Sequence, residues 1–196
     1  MSTHSLVARP TADGGFEGRY VHADAFPDHQ IPLLLAARQY RFAESEVALT
    51  SHLIDEHPAG WDYLGADLAI AETNAPLRVA EFLIANGNEE SVCMCHDWEG
   101  ALVEPPMTDG DAATRDDLPW IYVLRPQGLE VISSERDPQD LRGLVLPWSA
   151  DPTEHFPEER FQTWRPQSPR PVRTPRLSPP ATATTVTLIT KRPRTR

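Results

Sequence analysis

The spacing of hydrophobic and polar residues changes period along the chain, and that change separates predicted strands from predicted helices. Residues 1–15 end in the turn residues Asp13-Gly14-Gly15 and read as a flexible leader. The segment Phe16-Glu17-Gly18-Arg19-Tyr20-Val21-His22-Ala23-Asp24 that follows is aromatic and branched enough for a strand, which Pro27 closes. A helix should open near Ile31-Pro32, because proline costs little in a first helical turn. Leu34, Leu35, Arg38 and Phe42 recur at steps of three and four, as do Leu33, Ala37 and Tyr40. A second helix is predicted from Ser45 to about His57. Ser45 would cap it, Val47, Leu49, Leu53 and Ile54 would form its buried stripe, and Pro58-Ala59-Gly60 would end it.

The middle of the chain fits two periods. Leu77, Ala80, Leu83 and Ile84 have helical spacing, while Val79-Ala80-Glu81-Phe82-Leu83-Ile84 would also make a strand, and Asn86-Gly87-Asn88 then turns the chain. Ser91-Val92-Cys93-Met94-Cys95-His96 suits a strand buried on both faces, and Glu104 to Leu118 reads as an acidic surface loop. Trp120–Leu124, a turn at Arg125-Pro126-Gln127-Gly128, and Leu129–Ser133 form the clearest hairpin in the chain. Asp137 to Leu146 is either a short helix or a loop leading to an extended piece at Leu144-Val145-Leu146. Helices early and strands late predict an α+β fold, with two N-terminal helices packed on a small, mostly antiparallel sheet. The domain would span 16–150, a linker 151–164, and a disordered basic tail 165–196.

Composition explains the tail. Proline occurs 20 times in 196 residues, about twice the ~5% of ordinary chains. Seven of these prolines lie in 165–196, beside the low-complexity run ATATTVTLIT. Such a segment buries too little apolar surface to offset chain entropy, so disorder with polyproline character is expected. Val186–Ile189 could still add as a strand to a sheet edge. Charge splits at the same boundary. Arg165, Arg170, Arg173, Arg176, Lys191, Arg192, Arg194 and Arg196 face no acid in the tail, leaving ten bases against all 29 acids in the preceding 164 residues. A basic arm of this kind either folds back on an acidic surface or reaches a protein or nucleic-acid partner through a salt-sensitive, sequence-independent contact. No apolar run approaches the ~18 residues of a membrane span, so no membrane insertion is expected. The first residues lack a charged start followed by an apolar stretch, and two cysteines make no disulfide scaffold, so a cytoplasmic setting is expected.

Chemistry concentrates at two places. Cys93, Cys95 and His96 bring thiol and imidazole groups within four positions, a donor set for zinc. The bland alternative is a pair of buried cysteines acting as small apolar side chains. On a strand, His22 and Asp24 would share a face, with His29 nearby, which suits two metal ligands or a hydrogen-bonded pair. The alternative there is an aspartate accepting from the backbone before the helix. The chain has no phosphate loop, no nucleophile elbow, no zinc-protease helix motif and no dinucleotide fingerprint. No cofactor is therefore required, zinc being the one candidate, and catalysis is not expected.

Gly18-Arg19-Tyr20-Val21-His22-Ala23-Asp24-Ala25-Phe26-Pro27, followed by Pro32-Leu33-Leu34-Leu35, resembles the opening of a group of small actinobacterial proteins encoded in chromosomes, plasmids and phages. Their pattern is Tyr-x-His-x-Asp-Gly-Tyr-Pro, then a Leu-rich helix and, later, an aromatic hairpin like Pro119–Ser133. Ala25 and Phe26 replace the usual Gly-Tyr, and the resemblance reaches no further than residues 18–135. It implies an accessory or mobile-element setting, such as plasmid transfer or maintenance, and supplies no mechanism. The expected function is that of a non-enzymatic accessory protein with an acidic body that binds a protein partner. Nucleic-acid contact through the tail and a metal or enzymatic role for the His22/Asp24 and Cys93/Cys95/His96 groups are its alternatives.

Overall fold

A computed structural model describes residues 3–71, 73–97, 100–101, 103–134 and 140–167, with 96–97 and 100–101 described by their backbone alone. The turn Thr11–Gly15 folds the start of the chain back, so β1 (Ser5–Pro10) pairs antiparallel with β2 (Phe16–Val21). Leu6, Val7 and Ala8 are fully buried, because the other edge of β1 runs parallel to β8 (Trp120–Arg125) in the register Val7↔Tyr122. This corrects the reading of residues 1–15 as a flexible leader: they carry a strand from the middle of the sheet.

The remaining elements are α1 (Pro27–Ala36), α2 (Glu46–Thr50), β3 (Trp61–Tyr63), α3 (Asp67–Ile70), α4 (Leu77–Asn86), β4 (Val92–Cys93), β5 (His96–Asp97), β6 (Gly100–Ala101), β7 (Met107–Thr108), α5 (Asp109–Ala112), β9 (Gly128–Ser133), β10 (Leu144–Leu146) and α6 (Glu158–Gln162). The α+β class holds. The sheet, however, has eight strands, in the order β10-β9-β8-β1-β2-β3-β4 with β7 also on β2, and β5 and β6 form a separate ribbon. Two of its pairings, β1/β8 and β2/β3, are parallel. The expectation of a small sheet under two N-terminal helices is thus corrected, since α4, α5 and α6 follow later in the chain. Among the described residues no helix is long and apolar enough to cross a membrane.

Alternation along β8 divides the core. Trp120, Tyr122 and Leu124 face the helical layer with Leu34, Leu53 and Val131, whereas Ile121 and Val123 face Leu6, Phe16 and Leu118 on the other side. The predicted hairpin forms as β8 and β9, paired from Trp120↔Ser133 to Arg125↔Gly128. Helix α1 starts on Pro27 and contains Pro32. Both early helices run on into wide π turns, Ala37–Arg41 and Ser51–Asp55. Ser45 caps α2, its hydroxyl accepting from the Ala48 amide at 3.2 Å. Val47 is 79% exposed and not part of the buried stripe, because it stands two residues, about 200° of helix, from Leu49.

Residues 77–86 are helix rather than strand, burying Val79 and Leu83 one turn apart. The strand expected at 91–96 is split: Val92–Cys93 pairs at the sheet edge with Val92 40% exposed, so it is not buried on both faces, and His96 opens the separate β5–β6 ribbon. The predicted loop 104–118 contains β7 and α5, the latter opened by a Thr108–Asp111 capping box. Residues 151–164 are likewise no linker. Phe156 and Phe161 are buried, and the Phe161 ring meets Trp120 edge-on with centroids 6.4 Å apart. The Gln39 amide fixes this segment's approach by donating to the Trp148 and Ala150 carbonyls at 2.7 and 2.8 Å. Of the basic tail, residues 168–196 lie outside the described residues.

Candidate metal centre

The second helix ends where its π turn leaves carbonyls for side chains to cap. Trp61 Nε1 donates to the Leu53 carbonyl at 3.0 Å, and Arg19 Nε donates to the Ile54 carbonyl at 2.9 Å. Arg19 is itself buried and also donates to the Glu104 carbonyl at 2.6 Å, so one guanidinium ties β2, the helix end and the segment before β7. The turn His57–Gly60 follows, closed by the Gly60 amide on the His57 carbonyl at 3.0 Å. Gly60 has φ +85°, and a Cβ there would stand 2.5 Å from the Tyr20 carbonyl oxygen. Only glycine lets this turn lie against β2. Beyond it, Trp61 pairs with Cys93, and the Met94 amide donates to the Gly60 carbonyl at 3.0 Å. The turn and the edge strand are thereby held side by side.

That pairing brings His57, Cys93 and Cys95 together, with one donor atom from each within 4.8 Å of the others. Cys95 Sγ lies 3.9 Å from His57 Nδ1. Both cysteines are free thiols, Cys93 half-buried and Cys95 buried. Zinc–sulfur bonds near 2.3 Å and zinc–nitrogen bonds near 2.0 Å at tetrahedral angles would place S and N about 3.6 Å apart and two sulfurs about 3.8 Å apart. The Cys95–His57 contact of 3.9 Å lies within a few tenths of an ångström of that spacing, and the three donors would leave a fourth position to another ligand. Burial pushes the Cys95 thiol up from its ordinary pKa, helped by the neighbouring Cys93, while the Ala59 amide and the Arg19 charge act in the opposite direction.

The aromatic surroundings hold the imidazole. The His57 ring lies on Trp61 with centroids 4.0 Å apart and meets His52 edge-on at 5.2 Å. His52 projects from the π turn, and its Nδ1 is 3.0 Å from Glu56 Oε2. This bond holds the Glu56 carboxyl below its ordinary pKa. His52, Glu56 and His57 form a second donor set, again within 4.8 Å of one another.

Among the described residues, the two predicted cysteines share the first donor set with His57. His96 lies on β5, and its side chain is outside the described residues. His22 and Asp24 join neither donor set among the described residues. The His22 ring stacks on His4 with centroids 4.9 Å apart, and Asp24 accepts from Asn88 Nδ2 at 2.7 Å from a backbone at φ 53°. β2 ends at Val21, so the two residues do not share a strand face. His29 bridges carbonyls instead, its ring nitrogens 3.1 Å from Asn86 O and 3.3 Å from Leu64 O. Arg165 is exposed, and its guanidinium donates to the Gln162 and Trp164 carbonyls at 2.8 Å. Arg170, Arg173, Arg176, Lys191, Arg192, Arg194 and Arg196 lie outside the described residues. His57, missed in the sequence, reads there only as the end of a helix. Pairing of β3 with β4 is the signal that would have found it.

The chain matches no protein-family model, no curated protein and no solved structure.

Proposed function

We propose that this is a non-enzymatic accessory protein whose acidic α+β body holds one soft divalent cation, zinc first, on His57, Cys93 and Cys95. The observation that carries this reading is the convergence of two thiols and an imidazole within 4.8 Å at a half-buried site. Thiolate and imidazole donors select zinc and its neighbours over magnesium and calcium, which prefer oxygen. Bound there, the ion would cross-link the turn after the second helix to the edge strand, a structural role. Metal analysis of the reduced full-length protein, beside the Cys95→Ser variant, tests it. About one equivalent of zinc in the wild type and a loss in the variant are expected. Zinc-free protein that also gives no thiolate-to-cobalt band with added cobalt(II) would sink the proposal.

The charge split supports a second reading, in which the basic tail reaches a protein or nucleic-acid partner while the body does the metal binding. The cytoplasmic and mobile-element setting belongs to this reading. Partner capture from native lysate, full-length beside a chain ending at Gln167, separates the two parts. Nucleic acid retained only by the full-length chain and released by salt assigns the contact to the tail. Equal retention by both chains removes the tail from it.

A further inference from the structure

Cys95 is only 5% exposed, so an ion bound at the thiols needs a route to them. The second donor set supplies one. Glu56 has a side chain 57% exposed, His52 is 20% exposed, and the two are joined at 3.0 Å. His57 belongs to both sets, its Nδ1 3.9 Å from Cys95 Sγ, so the two sets share one imidazole. The two sets also differ in kind. Oxygen and nitrogen donors near the surface bind a borderline cation weakly and exchange it quickly, while thiolates hold it more firmly. The π turn places His52 on the face of the helix that meets His57 and Trp61, at ring separations of 5.2 and 5.8 Å.

We propose, building on the zinc reading above, that His52, Glu56 and His57 form a loading station that captures a divalent transition-metal ion and passes it to Cys93 and Cys95. The transfer is a ligand exchange. Bonds from the ion to Glu56 and His52 break as bonds to the two sulfurs form, each thiol gives its proton to solvent, and His57 remains attached throughout. No electron moves, and no further reactant is needed.

The test follows cobalt(II) loading of reduced, metal-free, full-length protein by stopped flow, reading the thiolate-to-cobalt charge-transfer band. Glu56→Gln and His52→Gln should each slow the band's appearance roughly tenfold, the scale on which groups beside a metal site act, and leave its final amplitude at the wild-type value. Glu56 is exposed, so its variant keeps the proposal testable if the more buried His52→Gln fails to fold. Wild-type rates in Glu56→Gln would overturn the loading role. A lowered final amplitude would overturn it too, because the residue would then be a permanent ligand. A wild type that develops no band at all fails differently, since it removes the thiol site itself.

Discussion

Phe161→Ala should unfold the domain far more easily than a change in a linker could. Phe161 is 1% exposed on α6, its ring edge-on to Trp120 at 6.4 Å and an interplanar angle of 86°, and it joins the same core cluster as Tyr122 and Leu34. Truncating a fully buried phenylalanine costs about 3–5 kcal/mol, including the ~0.5–1.5 kcal/mol of an edge-on aromatic pair. For a domain of ordinary stability, ~5–15 kcal/mol, that is a large fraction. At ~2–4 °C per kcal/mol for chains of this size, the midpoint should fall by about 10 °C. Urea unfolding of the full-length chain, read by tryptophan fluorescence and circular dichroism, measures the free-energy loss, with the slope against urea unchanged, and a thermal scan reads the midpoint. Thr163→Ala, on an exposed residue of the same segment, should stay within ~0.5 kcal/mol of wild type. If Phe161→Ala is equally mild, α6 does not belong to the core and residues 151–164 revert to a linker.

Gly60→Ala should destabilise by more than ~1 kcal/mol, since its φ of +85° strains any side chain and the new Cβ meets the Tyr20 carbonyl. The same variant should weaken cobalt binding by displacing His57, read by titration of the charge-transfer band. Chelator treatment should lower the thermal midpoint of the wild type and leave Cys95→Ser unchanged, because an ion at 100 times its dissociation constant stabilises by about 2.7 kcal/mol. Tyr122 is buried, and this burial, with Asp28 and Glu158 adding negative charge, raises its phenol well above the ordinary pKa. A raised folded pKa means that its contribution is complete below the unfolded value near 10 and is lost as pH climbs toward the folded one. Denaturant midpoints measured across the alkaline range should therefore fall above about pH 10, less so in Tyr122→Phe. That variant also loses the 2.8 Å bond to the Ala25 carbonyl, worth about 1 kcal/mol at neutral pH.

Legibility in the sequence followed locality. The β8–β9 hairpin pairs neighbours across a four-residue turn, so its pattern and its partner are both on view in one stretch. The first strand shows only Leu6-Val7-Ala8 before Arg9, too short a run to suggest a strand buried on both faces. Its burial comes from a parallel partner far along the chain, and Arg9 is accommodated at the rim by Glu17 and Asp55 at 3.0 and 2.9 Å. Helix α6 offers Phe161 alone among Glu158, Glu159, Arg160 and Gln162, a pattern that propensity cannot distinguish from a solvated loop. The candidate metal centre divides the same way. Cys93 and Cys95 are separated by one residue and legible in the sequence, but the imidazole that meets them depends on the Trp61↔Cys93 register, which no local pattern encodes.

The charge layout bears on both proposed contacts, in opposite directions. Ten bases against 29 acids give residues 1–164 a net charge of −19, with the tail carrying the +8 that brings the chain to −11. A body of that sign concentrates small cations around it and raises their encounter rate with any donor set on its surface. It also repels a phosphate backbone, whose affinity for proteins comes chiefly from cationic neutralisation. A metal site on the body and a nucleic-acid contact on the tail are therefore electrostatically consistent with each other, whereas nucleic-acid binding by the body is not. Salt should separate the two. Raising it screens the tail's contacts steeply, but a zinc–thiolate bond at a site where Cys95 is 5% exposed is a short-range interaction that the ionic atmosphere barely reaches.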